Sequence, residues 1–128
     1  MEKRTVSQID DLQARVRKLN IEKGWRGALA GSREGYEFPA YIALLHSEAS
    51  EALEAYRDKI WSDTMPRRIH EGELAGAGKP IGVGPELADV FIRILDMCDI
   101  WGIDLEYEVH RVLQYGQTRP YRHGGRIL

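Results

Sequence analysis

Glu48 and Glu51 lie on one stretch of this 128-residue chain, Glu86 and Asp89 on another, and both stretches read as helix. Positions three apart share a helical face, with Cβ atoms roughly 5–6 Å apart. Each helix therefore offers a pair of carboxylates, and two such helices packed together bring four to one point. Four carboxylates that close cannot all stay ionised without a compensating charge. A hard divalent cation is the natural answer, and Mg²⁺ is the usual choice where phosphates are held. The competing reading is that both pairs are solvated faces, because surface helices are rich in acids.

The elements that must position these acids follow from periodicity. Ile9, Leu12, Val16 and Leu19 recur at helical spacing, with Ser7 as a cap and Gly24 as a stop. A second helix runs from about Pro39, suited to a first turn, to about Ile60. A third begins near Pro85, carries Leu87, Phe91, Ile94, Cys98 and Trp101 on one stripe, and ends at Gly102. Asp104 caps a fourth that runs to about Gln114, with Leu105, Val109 and Val112 expected to face inward. Residues 62–85 hold five glycines and three prolines, and a loop of that length and composition is generally functional or disordered. The stretch from Gly24 to Phe38 has similar character. No strand, repeat or second domain is legible. The expected fold is all-α: one domain over residues 1–128, a four-helix-type bundle whose exposed apolar stripes favour a homodimer or larger assembly.

Hydrophobic content of 43% and charged content of 30% fit a globular core with a solvated surface. A net charge of −2 gives no global pull toward nucleic acid or anionic membrane. No apolar run approaches the roughly 20 residues needed to span a bilayer, and the first residues lack the apolar core of a secretory signal. Cys98, the only cysteine, sits in an apolar run and reads as a buried, inert thiol. A soluble cytoplasmic protein is the expectation.

On the second helix, Glu48, Glu51, Ala52 and Ala55 fall on one side, and the small alanines let a neighbour approach closely. On the third, Glu86, Asp89, Arg93 and Asp96 fall within about 80° of arc. Arg93 and Asp96 read as partners in structural ion pairs with neighbouring helices rather than as site residues. From His110 onward there are four arginines and no acid. Arg119, Arg122 and His123 are candidates to hold phosphates across a dimer, against the alternative of an exposed tail. Lys23 and Trp25, where the first helix ends, are candidates to contact phosphate and base, against a packing role for the Trp. His46 faces away from Glu48, and nothing supports a role for His70. Carboxylates with arginines make a phosphate site, metal on one side and guanidinium groups on the other.

The run Leu44-Leu45-His46-Ser47-Glu48-Ala49-Ser50-Glu51-Ala52-Leu53-Glu54-Ala55, then Gly78-Lys79-Pro80, then Glu86-Leu87-Ala88-Asp89-Val90 with Ile92-Arg93-Ile94-Leu95-Asp96, resembles the MazG-like nucleotide pyrophosphohydrolases, members of the all-α NTP pyrophosphatase superfamily. Lys23-Gly24-Trp25 and the closing Thr118-Arg119-Pro120-Tyr121-Arg122-His123-Gly124-Gly125 are also similar. The resemblance implies a hydrolase that cuts nucleoside triphosphates between the α- and β-phosphates, releasing a monophosphate and pyrophosphate. By position it implies Glu48, Glu51, Glu86 and Asp89 as ligands of Mg²⁺, with Mn²⁺ as a substitute, and a dimer or tetramer. Either Glu48 or Glu51 would take the proton from the attacking water. The chain departs from the family pattern at Ser47, where many members have a further Glu, and at Gly116, where many have Asn. It also has Arg111 or Val112 where many members have a Lys.

Two rivals stand beside this reading. A di-iron carboxylate bundle needs Glu-x-x-His, but the residues three before the four histidines are Ala43, Arg67, Tyr107 and Pro120. A non-catalytic helical bundle that binds a partner or a nucleotide is compatible with the same acidic helices and basic tail.

Overall fold

The computed structural model describes residues 6–26, 37–61 and 78–127. Most of the loop expected over residues 62–85, His70 with it, and much of the stretch from Gly24 to Phe38 lie outside the described residues. Among these residues the helices are, in order, α1 (Gln8–Glu22), α2 (Phe38–Arg57), α3 (Val83–Trp101), α4 (Leu105–Thr118) and α5 (Arg122–Gly125). No strand occurs among the described residues, so the fold is all-helical. No helix among them is long and apolar enough to cross a membrane.

The local signals act as the sequence suggests. The Ser7 side chain accepts from the Asp10 N–H at 3.1 Å to cap α1, and Asp104 accepts from the Tyr107 N–H at 3.1 Å to cap α4. Pro39 stands in the first turn of α2, and Gly102 ends α3. At the start of α3, Gly82 has φ 119°, a conformation that L side chains rarely adopt. That turn lets Val83 and Gly84 donate to the Ile60 and Trp61 carbonyls at 2.9 and 2.8 Å. The beginning of α3 is thereby tied to the chain leaving α2.

Helices α2 and α3 form the principal antiparallel pair. At one end Phe38 and Tyr41 pack edge-on against Trp101, with ring centroids 5.1 and 5.2 Å away. Midway Glu48 meets Arg93, and at the far end Ile60 meets Val83. Ala52 is buried between them, the close approach that its small side chain permits. Helix α1 packs across α3, where the Gln13 side chain donates to the Leu95 carbonyl at 3.2 Å. The buried apolar residues are Val16, Ala52, Leu95, Met97, Cys98 and Ile100, centred on the second half of α3. Burial pushes the Cys98 thiol above its usual pKa, which suits an inert packing residue.

The fourth helix departs from expectation in two ways. It continues to Thr118 instead of stopping near Gln114, and of the residues expected to face inward Leu105 is half-buried while Val109 and Val112 are not. Val109 is exposed and Val112 is 68% exposed, and among the described residues the main packing partner of α4 is α1. Leu87 and Phe91 on α3 are likewise exposed, since the core follows the later residues of their stripe.

Candidate metal centre

Glu48 and Glu51 project from the middle of α2 toward the first turns of α3. One ligating oxygen from each of Glu48, Glu51 and Glu86 lies within 4.8 Å of the others. Glu86 reaches this point because the Gly82 turn docks the start of α3 beside α2, and a helix N-terminus favours a carboxylate there. Its Oε2 is buried and has no hydrogen-bond partner among the described residues. A buried carboxylate oxygen left without a donor is costly and suits a site completed by a cation.

The electrostatics point the same way. Glu51 is held above its ordinary pKa by a hydrogen bond with Glu48, and then by Coulomb repulsion from Glu48 and Glu86. Burial, then repulsion from Glu48 and Glu86, push Asp89 up as well, against the opposing pull of Lys79 and Arg93. Asp89 stands outside the close triad but lines a cavity together with Glu48. The donor set is all carboxylate oxygen, which matches a hard divalent cation rather than a thiolate- or imidazole-seeking metal.

The cavity has a volume of about 520 Å³. Its walls combine the acids Glu48, Asp89 and Asp96 with Trp25, Asn20 and Tyr41, so carboxylates share the cavity with aromatic and amide groups. Trp25, 77% exposed, is presented by a tight turn after α1. Gly24 takes φ 81°, and the Trp25 N–H folds back onto the Asn20 carbonyl at 2.9 Å. The next residue anchors the turn. Arg26, only 5% exposed, donates to Asp96 at 2.6 Å and to Asp99 at 3.0 Å, and Arg17 holds both oxygens of Asp99. Burial works against ionisation of Asp99, but hydrogen bonds from Arg17 and Arg26 outweigh it and keep its pKa below the ordinary value.

The structure thus brings Glu48, Glu51 and Glu86 together, with Asp89 and Trp25 on the adjoining cavity wall. The Lys23 side chain is exposed at the end of α1 and does not line the cavity. Arg119, Arg122 and His123 do not line it either. Arg119 lies over the Tyr115 ring and Arg122 over the Tyr121 ring, on the exposed C-terminal segment.

Two residues enter the picture that sequence reasoning placed elsewhere or passed over. Arg93 is indeed paired with a neighbouring helix, but its partner is Glu48: Nε and Nη2 both donate to Glu48 Oε1, at 3.1 and 2.9 Å. The signal was the helical arc it shares with Glu86 and Asp89. Arg26 carried no signal, because its acids lie 70 and 73 residues away. No family model, curated protein or solved structure matches the chain.

Proposed function

We propose that this chain is a Mg²⁺-dependent nucleoside triphosphate pyrophosphohydrolase of the MazG-like type, acting on the bond between the α- and β-phosphates. The observation that carries the reading is the convergence of Glu48, Glu51 and Glu86, one with a buried oxygen that has no partner among the described residues, beside a cavity with an aromatic wall. Glu48, Glu51, Glu86 and Asp89 would hold the ion. Bound Mg²⁺ supplies neutralising charge for a triphosphate and lowers the pKa of water.

The chain's own residues do the rest. Glu51, beside Glu48, titrates above its usual range, which suits one of the two to accept a proton from an attacking water. Trp25 offers a ring face on which a nucleobase can stack, and Asn20 and Tyr41 line the same cavity. In phosphoryl chemistry, placement of the triphosphate relative to that water works together with electrostatic stabilisation. The finer architecture, a four-helix-type bundle assembled as a homodimer or larger, belongs to the same proposal. The outward apolar stripe of α4, with Val112, Leu113 and Tyr115 exposed, supports such an assembly.

The test is a panel of ribo- and deoxynucleoside triphosphates incubated with Mg²⁺ and assayed for pyrophosphate and orthophosphate. Pyrophosphate with a nucleoside monophosphate is expected for at least one base. Orthophosphate alone would mean that a different bond is cut. Inertness across the panel would favour a non-catalytic interaction or nucleotide-binding module, for which the exposed α4 stripe is the docking surface to examine.

A further inference from the structure

We infer that Arg93 is the residue of the cavity that binds polyphosphate, a role that rests on the metal-dependent reading above. Arg93 is the one cationic side chain among the described residues lining a cavity that also carries Glu48, Asp89 and Asp96. A polyanion entering such a wall needs a cation of the protein's own in addition to any ion it brings.

The geometry of Arg93 fits that task. Both of its bonds to Glu48 converge on a single oxygen, Oε1. This engages one edge of the guanidinium and leaves Glu48 Oε2 clear of it. The remaining N–H groups meet no acceptor among the described residues, and the side chain is 37% exposed where that of Glu48 is 15%. One edge of the planar group is therefore fixed in place while the other stays open to the cavity. A guanidinium held in that way presents parallel N–H donors suited to phosphate oxygens, with its rotamer already ordered. A cation at Glu48, Glu51 and Glu86 and the open edge of Arg93 would then grip one polyphosphate from two sides. The tail residues Arg119 and Arg122, candidates from sequence, do not line this cavity.

Calorimetric titration with inorganic tripolyphosphate, with and without Mg²⁺, tests this on the full chain, Arg93→Gln, Arg93→Lys and Arg57→Gln. The intact chain and Arg57→Gln, which removes a surface charge outside the cavity, are expected to bind tripolyphosphate with Mg²⁺ equally well. Arg93→Gln should bind it about tenfold or more weakly, the size of a lost charge-assisted contact. Arg93→Lys should fall between, keeping the charge but losing the planar fork. Mg²⁺ alone should bind Arg93→Gln at least as tightly as the intact chain, because a positive group beside Glu48 has been removed.

Tripolyphosphate affinity unchanged in Arg93→Gln overturns the assignment and leaves the metal reading standing. A parallel loss of Mg²⁺ binding also overturns it, because Arg93 would then only orient Glu48. An intact chain that binds neither Mg²⁺ nor tripolyphosphate removes both. Circular dichroism checks that the variants fold. If Arg93→Gln does not, Arg93→Lys decides: a several-fold loss supports the assignment, and unchanged affinity ends it.

Discussion

Helix α3 carries two acidic pairs at the same three-residue spacing, Glu86 with Asp89 and Asp96 with Asp99, and the surrounding elements meet them in opposite ways. Asp96 and Asp99 face Arg26 and Arg17, which bond them at 2.6–3.0 Å. Glu86 and Asp89 face Glu48 and Glu51, with Arg93 as the one cation bonded within the group among the described residues. The first arrangement satisfies its charges and fastens the turn bearing Trp25 to the core. The second leaves like charges together and a carboxylate oxygen without a donor among the described residues. Spacing along one helix therefore says little about role. What decides it is the charge that the neighbouring element brings.

If the Asp96–Asp99 region is a structural clasp, removing its buried cation should have the largest effect of any substitution discussed. Arg26→Ala leaves Asp96, itself only 8% exposed, without its guanidinium partner. Loss of one member of a buried pair typically costs about 3–5 kcal/mol, read as a lowered midpoint in urea denaturation. A loss under about 1 kcal/mol, the scale of a surface pair, would place the clasp among ordinary surface ion pairs and break the contrast. The acidic cluster predicts a different response. Mg²⁺ at a hundredfold excess over its Kd should stabilise the intact chain by about 2.7 kcal/mol in thermal unfolding. Glu86→Gln should abolish that gain.

Much of this contrast could be read from the sequence, and the part that could not has a definite cause. The helices were legible because Ser7, Pro39, Gly102 and Asp104 act locally, through caps and stops that need no tertiary partner. The acids of α2 and α3 were legible as pairs for the same reason. That they meet depends on the Gly82 turn and on hydrogen bonds between residues 60–61 and 83–84, which no periodicity encodes. Arg26 and Arg93 show the limit most clearly. Each finds its acid at least 45 residues away, and only the packed helices reveal which arginine neutralises which carboxylate. The exposed stripe of α4 misled for a related reason: amphipathicity specifies that a face is to be covered, not by which surface.

Glu51→Gln sharpens the comparison from the other side. In a satisfied cluster, removing a charge destabilises. Where the carboxyl is repelled by Glu48 and Glu86, neutralising it should instead raise the melting temperature of the metal-free protein while weakening its response to Mg²⁺. A lowered metal-free melting temperature would mean that Glu51 is held favourably as an anion after all, and the distinction between the two ends of α3 would lose its basis.

The smallest effect, and the most diagnostic, is the shape of metal-free stability against pH. Asp99 has a folded pKa below its ordinary value, so its contribution is complete above about pH 4 and is lost as pH falls through the depressed value. Glu51 and Asp89 have folded pKa values above the ordinary ones. In that window the folded state binds more protons than the unfolded chain, so stability rises as pH falls from neutral through the raised values, levelling near about pH 4. The two ends of α3 thus tilt the profile in opposite directions and predict a maximum on the acid side of neutrality. Mg²⁺ should flatten the limb between neutrality and that maximum, because the ion replaces the protons as the compensating charge. The double variant Glu51→Gln/Asp89→Asn should flatten it without metal, while leaving the fall at lower pH to Asp99. If the variant keeps the limb intact, the rise comes from groups elsewhere, and the acids facing one another across α2 and α3 are not the source of repulsion.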